Sequence, residues 1–266
     1  MMSVINTQSE NELAYTGERM VPGAADAVTF WEHVQRYRFA AARVKGMDVV
    51  DIACGEGYGS AALIKAGAAS LVGIDISAEA VEHARRRHGI DARVGSATTI
   101  PLPDASCDVV VSFETVEHVH EPAAFINQCS RILRPGGSLI ISTPNPDVYK
   151  NVIEHNPFHV TEMPVEQFRQ VVEARFNIER LYGQTVPPGW YMRSKGFGRL
   201  TKWAQKTIGG RAFDAVPPDL RSRVVDLCSK PPDWFDRWLF MDAVQPVSLA
   251  ALQQCCYVIA TAKRRD

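Results

Sequence analysis

From Asp48 onward, short runs dense in Val and Ile alternate with stretches whose apolar residues recur every three to four positions. The runs DVVDIAC (48–54), SLVGIDI (70–76), a short segment near 92–97, DVVVSFE (108–114) and SLIISTP (138–144) predict strands. Between them, amphipathic spacing predicts helices over about 58–66, from Ser77 through Arg87, over 122–133 and over 165–175. Ser77 is a helix-capping residue, and Glu79 and Glu82 near the start with Arg85–Arg87 near the end complement the helix dipole. Arg134-Pro135-Gly136-Gly137 stops the next helix, because neither proline nor glycine continues it. Strands that alternate with helices in this way predict an α/β protein with a parallel sheet and crossover helices.

After residue 175 the alternation breaks. NIERLYGQ (177–184) and CYVIATAKR (256–264) read as strands, with about seventy residues rich in Trp and Pro between them. A structureless loop of that length is uncommon in a compact domain. The segment 185–253 is therefore expected to be an inserted, mostly helical cap. If the two flanking strands pair antiparallel at one edge, the sheet has seven strands with one reversed. That departs from the six parallel strands of dinucleotide-binding domains. The expected organisation is an N-terminal segment (1–29) and one domain (30–266) that carries the cap.

Composition agrees with one domain: 266 residues with 46% hydrophobic content suffice for a single large core. A net charge of −1 argues against a chain dominated by nucleic-acid binding. The start is polar, with no signal peptide, and no run approaches the ~20 apolar residues of a membrane span. Six scattered cysteines without a C-x-x-C pair read as buried free thiols, which implies a cytoplasmic protein.

Cys54-Gly55-Glu56-Gly57-Tyr58-Gly59 sits at the first strand-to-helix junction, where glycines let the chain turn and a ligand approach closely. The dinucleotide pattern needs a third glycine at position 60, which is Ser60. Asp51 and Glu56 put carboxylates beside the loop, where a pyrophosphate would be repelled. S-adenosylmethionine carries an ammonium and a sulfonium, which carboxylates suit. Asp75 closes the second strand, placed to accept hydrogen bonds from both hydroxyls of a ribose. An NAD-dependent oxidoreductase fits these residues poorly.

The succession VVDIACGEGYGS, GIDIS, SFETVEHVHEP and ILRPGGSLIISTPN closely resembles class I S-adenosylmethionine-dependent methyltransferases over about 48–145. The resemblance implies a Rossmann-like sheet ordered 3-2-1-4-5-7-6 with strand 7 antiparallel. It also implies cofactor contacts at Asp51, Ala53, Gly55, Gly57, Asp75, Ile76, Ser96, Ala97 and Glu114. Where the family often has Asp to bond the adenine amino group, this chain has Ser96, so its hydroxyl or backbone takes that place. TGERMVP (16–22), EHVQRYRFAA (32–41) and NPFHVTEMPVEQF (156–168) look like methyltransferases of bacterial surface-polysaccharide and glycan gene sets. By that likeness Glu18, Arg19, His33, Arg36 and Tyr37 cover the methionine end, with Arg19 or Arg36 on its carboxylate. The other reading of 32–41 is an amphipathic helix packed on the sheet.

Methyl transfer to oxygen or nitrogen needs an aligned acceptor and, for a hydroxyl, a base. Candidates, in order, are His159, His118 and His155. His118 follows strand four beside Glu117, which also resembles quinone O-methyltransferases, and the other two follow strand five. Along the chain the histidines lack close ligand spacing, so no metal is expected. The expected acceptor is a small molecule or glycan, and not nucleic acid: Phe113-Glu114-Thr115-Val116 stands where amino-methylating nucleic-acid enzymes carry an Asn/Asp/Ser-Pro-Pro-aromatic motif. The stretch 193–211 has six basic residues and no acidic one, interleaved with Phe197, Leu200 and Trp203. It reads as a solvated helix face, or as a contact for a phosphorylated acceptor or a peripheral contact with an anionic membrane. A protein that binds the cofactor without catalysis is the remaining alternative. The acceptor and the oligomeric state are not legible at this level.

Overall fold

The computed structural model describes residues 27–149, 156–184, 244–252 and 255–265. Its centre is one sheet of β1 (Asp48–Ile52), β2 (Ser70–Asp75), β3 (Asp91–Val94), β4 (Cys107–Ser112), β5 (Leu133–Pro144), β6 (Phe176–Gln184), β7 (Val244–Pro246) and β8 (Tyr257–Arg264). The order across it is β3-β2-β1-β4-β5-β8-β6-β7. The first five strands are mutually parallel, and β8 runs antiparallel between β5 and β6. With β8 in the seventh place, this is the expected order 3-2-1-4-5-7-6 with its reversed strand.

β7 is an addition. It pairs antiparallel with β6 through Val244–Gln184 and Tyr182–Pro246. The expected cap, 185–253, thus closes on this short strand and then a short helix, Leu249–Leu252, and Val244 packs into the core beside Tyr182 and Ile259. Residues 185–243, including the basic stretch 193–211, lie outside the described residues.

The helices α1 (Ala27–Ala41) and α2 (Tyr58–Lys65) cover one face of the sheet, and α4 (Pro122–Ile132) and α5 (Val165–Glu173) cover the other. The Val/Ile runs read as they do because both faces are buried. Val50, Ile52, Val110 and Ile141 pack with Phe125, Ile132 and Phe168 on one side. Their neighbours Val49, Val109, Val111 and Ile140 pack with Tyr37, Ala40 and Leu63 on the other.

The helix α3 (Ala78–His88) starts where Ser77 Oγ accepts from the Ala80 N–H, at 3.2 Å, and stops at left-handed Gly89. β5 begins earlier than its apolar run, since Leu133 already pairs with Cys107 before a register shift that contains Gly136 at φ 72°. Strand order reverses between β1 and β4, and the crevice at the carboxyl ends of those strands is where an open α/β sheet binds ligands.

Candidate active site

A cavity of about 740 Å³ opens at that crevice. It is lined by Ala53, Cys54 and Gly55 after β1, and by Asp75, Ile76 and Ser77 after β2. Ser96, Ala97 and Thr98 follow β3 along its wall, Glu114, Thr115 and Glu117–Glu121 follow β4, and Asn156 and His159 follow β5. Three of the described non-glycine residues take positive φ, and two of them, Ala53 (59°) and Glu114 (52°), line this cavity. Backbone held in a sparsely populated region tends to mark functional sites.

The two glycines of the loop do different work. A Cβ on Gly55 would point into open space within the cavity wall. A Cβ on Gly57 would lie 2.8 Å from Ala84 Cβ and 2.9 Å from Ile90 Cδ1. Gly57 therefore lets the loop press against α3, and it does not line the cavity as the resemblance implied. Ser60, where a dinucleotide site has glycine, donates to the Asp51 carboxylate at 2.6 Å.

Asp51 is wholly buried and also accepts from Tyr37 Oη at 3.2 Å. It too stands behind the lining, bracing the turn instead of facing a ligand. Burial, partly offset by the Ser60 and Tyr37 bonds and reinforced by Asp75, raises its pKa from 3.8 to about 7. Between those values the native state holds a proton that the unfolded chain has released. Asp51 thus gives its full stability below about pH 4 and loses it as pH rises through 7, on the order of 4 kcal/mol. Asp51→Asn is expected to flatten that part of the stability–pH curve, measured by urea unfolding at pH 5 and pH 8. An unaltered slope in the variant would count against a protonated Asp51.

Asp75 accepts from the Gly55 N–H at 2.8 Å and from the Ser77 N–H at 2.9 Å, which ties the glycine loop to the end of β2. Beside it Ile76 is an apolar side chain left 74% exposed. The Ser96 hydroxyl bonds Thr98, at 3.0 Å to Oγ1 and 3.2 Å to N, so it shapes its turn and leaves Ala97 and Thr98 along the wall. A carboxylate for a ribose, an uncovered apolar surface for a base and an open glycine between them fit a nucleoside.

On α1, Thr29, His33 and Tyr37 recur at one-turn spacing and line the cavity. Arg36 stands just behind these lining residues. It is fully buried, donates to Gln184 Oε1 at 2.7 Å and lies 4.5 Å from the centre of the Tyr257 ring. Burial works against its charge, and Glu114, Tyr257 and Glu32 more than offset that, holding its pKa above the ordinary value. Arg36 is not itself a lining residue, but its guanidinium sits against Tyr257 and near Glu114, which are, and its Nε has no hydrogen-bond partner among the described residues. The helix 32–41 packs on the sheet, as the second reading of that stretch expected, and through His33 and Tyr37 it also lines the cavity. Arg19 and Glu18 lie outside the described residues.

Glu114 is clamped by Ser142, whose Oγ donates to the carboxylate at 2.6 Å and accepts from the Glu114 N–H at 3.2 Å. Next to it the loops after β4 and β5 are stitched together. The Val160 and Thr161 N–H groups both donate to the Glu117 carbonyl at 2.9 Å, and Thr161 Oγ1 donates to the Val119 carbonyl at 2.9 Å. This brings His118 and His159 edge to face, with centroids 4.9 Å apart. His118 Nδ1 bonds the Phe158 carbonyl at 2.9 Å, and His159 Nδ1 meets Glu162 Oε1 at 3.4 Å. Burial, followed by His118, lowers the His159 pKa. Ligand atoms of Glu117, His118 and His159 lie within 4.8 Å of one another. Residues 118 and 159 are distant in sequence and meet only in space, so their spacing along the chain does not by itself bear on metal binding. His155 lies outside the described residues.

Residues 50–141 match a family described as a methyltransferase domain. A probable S-adenosylmethionine-dependent methyltransferase of Mycolicibacterium smegmatis is 40% identical over 177 residues, 64% of this chain and 68% of that protein. A ubiquinone biosynthesis O-methyltransferase of Parvibaculum lavamentivorans is 37% identical over 101 residues, 36% of this chain and 40% of that protein. Among solved structures, a SAM-dependent methyltransferase of Thermotoga maritima, described as a possible histamine N-methyltransferase, superposes with a TM-score of 0.60 over 90% of this chain and 91% of that one. At 15% identity that likeness speaks for the fold alone. No helix among the described residues is long and apolar enough to cross a membrane. The long match to the Mycolicibacterium protein, borne on a sheet of this order with a nucleoside-shaped crevice, places the chain among the class I S-adenosylmethionine-dependent methyltransferases.

Proposed function

We propose that the chain transfers a methyl group to a hydroxyl, or an amine, of a small-molecule or glycan acceptor held against His118 and His159. One observation carries the reading: a single cavity joins the nucleoside end at Asp75 to the histidine pair. S-adenosylmethionine, when bound, supplies a methyl group on a sulfonium ready to leave. In this reading Asp75 accepts from the ribose, Ile76, Ser96 and Ala97 border the base, and Ala53, Gly55 and Glu114 border the methionine part. Asp51 and Gly57 support them from behind, and Arg36 or Arg19 is the partner for the methionine carboxylate.

His159 is the first choice for the group that takes the acceptor's proton. Its Nδ1 toward Glu162 leaves Nε2 as the basic nitrogen, and burial keeps the ring neutral. His118 is second and His155 third. His159→Ala is expected to lower turnover by roughly 10²-fold or more while S-adenosylmethionine affinity stays within a few-fold. Single-turnover kinetics and calorimetry read the two separately, and full turnover in the variant moves the role to His118.

The acceptor is found by incubating the chain with S-adenosylmethionine and nucleotide sugars, glycans, quinone precursors and phenols, and scoring a gain of one methyl group by mass spectrometry. A glycan acceptor follows the likeness of the 16–41 and 156–168 segments, and a phosphorylated one the basic stretch 193–211. The ubiquinone-pathway relative favours a quinone or natural-product acceptor as the second reading. Buried free thiols at Cys54, Cys107 and Cys129 are in keeping with a cytoplasmic protein.

A further inference from the structure

We propose that Glu117, His118 and His159 form a divalent-cation site at the acceptor end of the cavity, selecting acceptors that carry two oxygens on adjacent carbons. The acceptor half of the proposal rests on the methyl-transfer reading above, and the ion site stands on geometry alone. The three ligand atoms lie within 4.8 Å of one another. Zinc-to-nitrogen distances of about 2.0–2.1 Å bring tetrahedral donors to roughly 3.3 Å apart, so modest rotation of the side chains closes the site.

Two further observations point to a ligand. Each imidazole has its Nδ1 turned to an oxygen, the Phe158 carbonyl for His118 and the Glu162 carboxylate for His159. Metal-binding histidines are held by carbonyls and carboxylates in this manner, and a proton at Nδ1 puts the lone pair at Nε2. Glu117, 1% exposed, has an Oε1 with no hydrogen-bond partner among the described residues. A buried oxygen left so is costly unless something meets it, and a cation does. Two nitrogens and one carboxylate suit zinc, manganese, cobalt or ferrous iron better than calcium or magnesium, which prefer oxygen shells.

All three residues line the cavity, so the remaining coordination positions face the acceptor. Two adjacent acceptor oxygens chelate there, and the cation acts as a Lewis acid. The acceptor hydroxyl gives its proton to water, and its oxygen attacks the methyl carbon. The O–CH3 bond forms as the S–CH3 bond breaks, and the sulfur leaves as the neutral thioether of S-adenosylhomocysteine. No electron passes to the ion. With the ion bound, the imidazoles are ligands, and its charge replaces His159 in removing the proton.

The test strips the full chain with a chelator and titrates it with Co2+, followed by visible absorption and calorimetry. One ion per chain is expected, without a thiolate charge-transfer band, and with affinity lowered roughly tenfold or more in His118→Asn, His159→Asn and Glu117→Gln. Retained S-adenosylmethionine binding shows that each variant is folded. X-ray absorption of the zinc-loaded wild type needs no variant and should show imidazole and oxygen neighbours. No bound ion, unchanged affinity in all three variants, or sulfur in the first shell would each overturn the site. Full methyl transfer to a vicinal-oxygen acceptor in excess chelator would overturn its catalytic part. The titration contains no acceptor, so an ion bound here with no methylated hydroxyl in the acceptor screen rejects the hydroxyl reading and leaves the ion site standing.

Discussion

Asp75→Ala is expected to weaken S-adenosylmethionine binding by roughly 10²–10⁴-fold, the largest loss we assign to any single side chain. An ionised carboxylate offers about four lone-pair positions. Two of them already accept from the Gly55 and Ser77 N–H groups, at 2.8 and 2.9 Å, and this fixes the direction in which the others point. Asp75 lines the cavity, so in the proposed reading the remaining positions accept from ribose hydroxyls. Hydrogen bonds to charged groups contribute about 1.5–3 kcal/mol each, and losing two gives the stated range. Asp75→Asn should recover little of it. An amide has one oxygen, and its NH2 would meet either Gly55 or Ser77 donor to donor. Calorimetry measures the affinity, and thermal unfolding checks that the loop survives the loss of its tether. Near wild-type affinity in the alanine variant would move the nucleoside away from the end of β2.

The parts of this molecule that were legible in sequence are those whose signal is local and repeated. The Val/Ile runs of β1, β4 and β5 are buried on both faces, and Ser77 caps α3 within its own turn. β8 was legible for the same reason, as Tyr257–Ala262 are all buried. β7 was not: three residues, one of them proline, have no period, and only pairing with β6 makes them a strand. The early start of β5 was hidden likewise, because Leu133 joins the sheet through its distant partner Cys107.

The site divides along the same line. Asp75, Ile76 and Gly55 stand at strand ends and could be read from spacing. The roles along α1 could not, since Arg36 and Tyr37 are neighbours in sequence yet Tyr37 lines the cavity and Arg36 stands behind it, bonded to Gln184. The meeting of His118 with His159 depends on backbone bonds from Glu117 to Val160 and Thr161, and no side-chain pattern announces those. In sequence Glu117 is only the neighbour of His118. Its partnerless oxygen is visible only in three dimensions.

The same limit separates two glycines with equal standing in the motif, and replacing each should give opposite results. Gly57→Val is expected to destabilise the fold by roughly 2–6 kcal/mol. A branched side chain at φ 89° costs about 1–3 kcal/mol in backbone strain. Its Cβ would also sit 2.8 Å from Ala84 Cβ and 3.2 Å from the Ala84 backbone, and such overpacking typically costs about 1–3 kcal/mol more. Ala84 is fully buried on α3, so the helix has to shift as a body. Against a usual domain stability of about 5–15 kcal/mol, that loss should lower the unfolding midpoint well before any effect on ligand is measured. At Gly55 a Cβ meets nothing within 4 Å and points into the cavity, so Gly55→Ala bears only the smaller strain of an alanine at φ 55°. That variant should stay folded and lose cofactor affinity, because the added methyl occupies the path over the loop. Urea unfolding and calorimetry on both proteins separate the two effects. A stable Gly57→Val chain that fails to bind would return Gly57 to the cavity wall and remove the packing role assigned to it here.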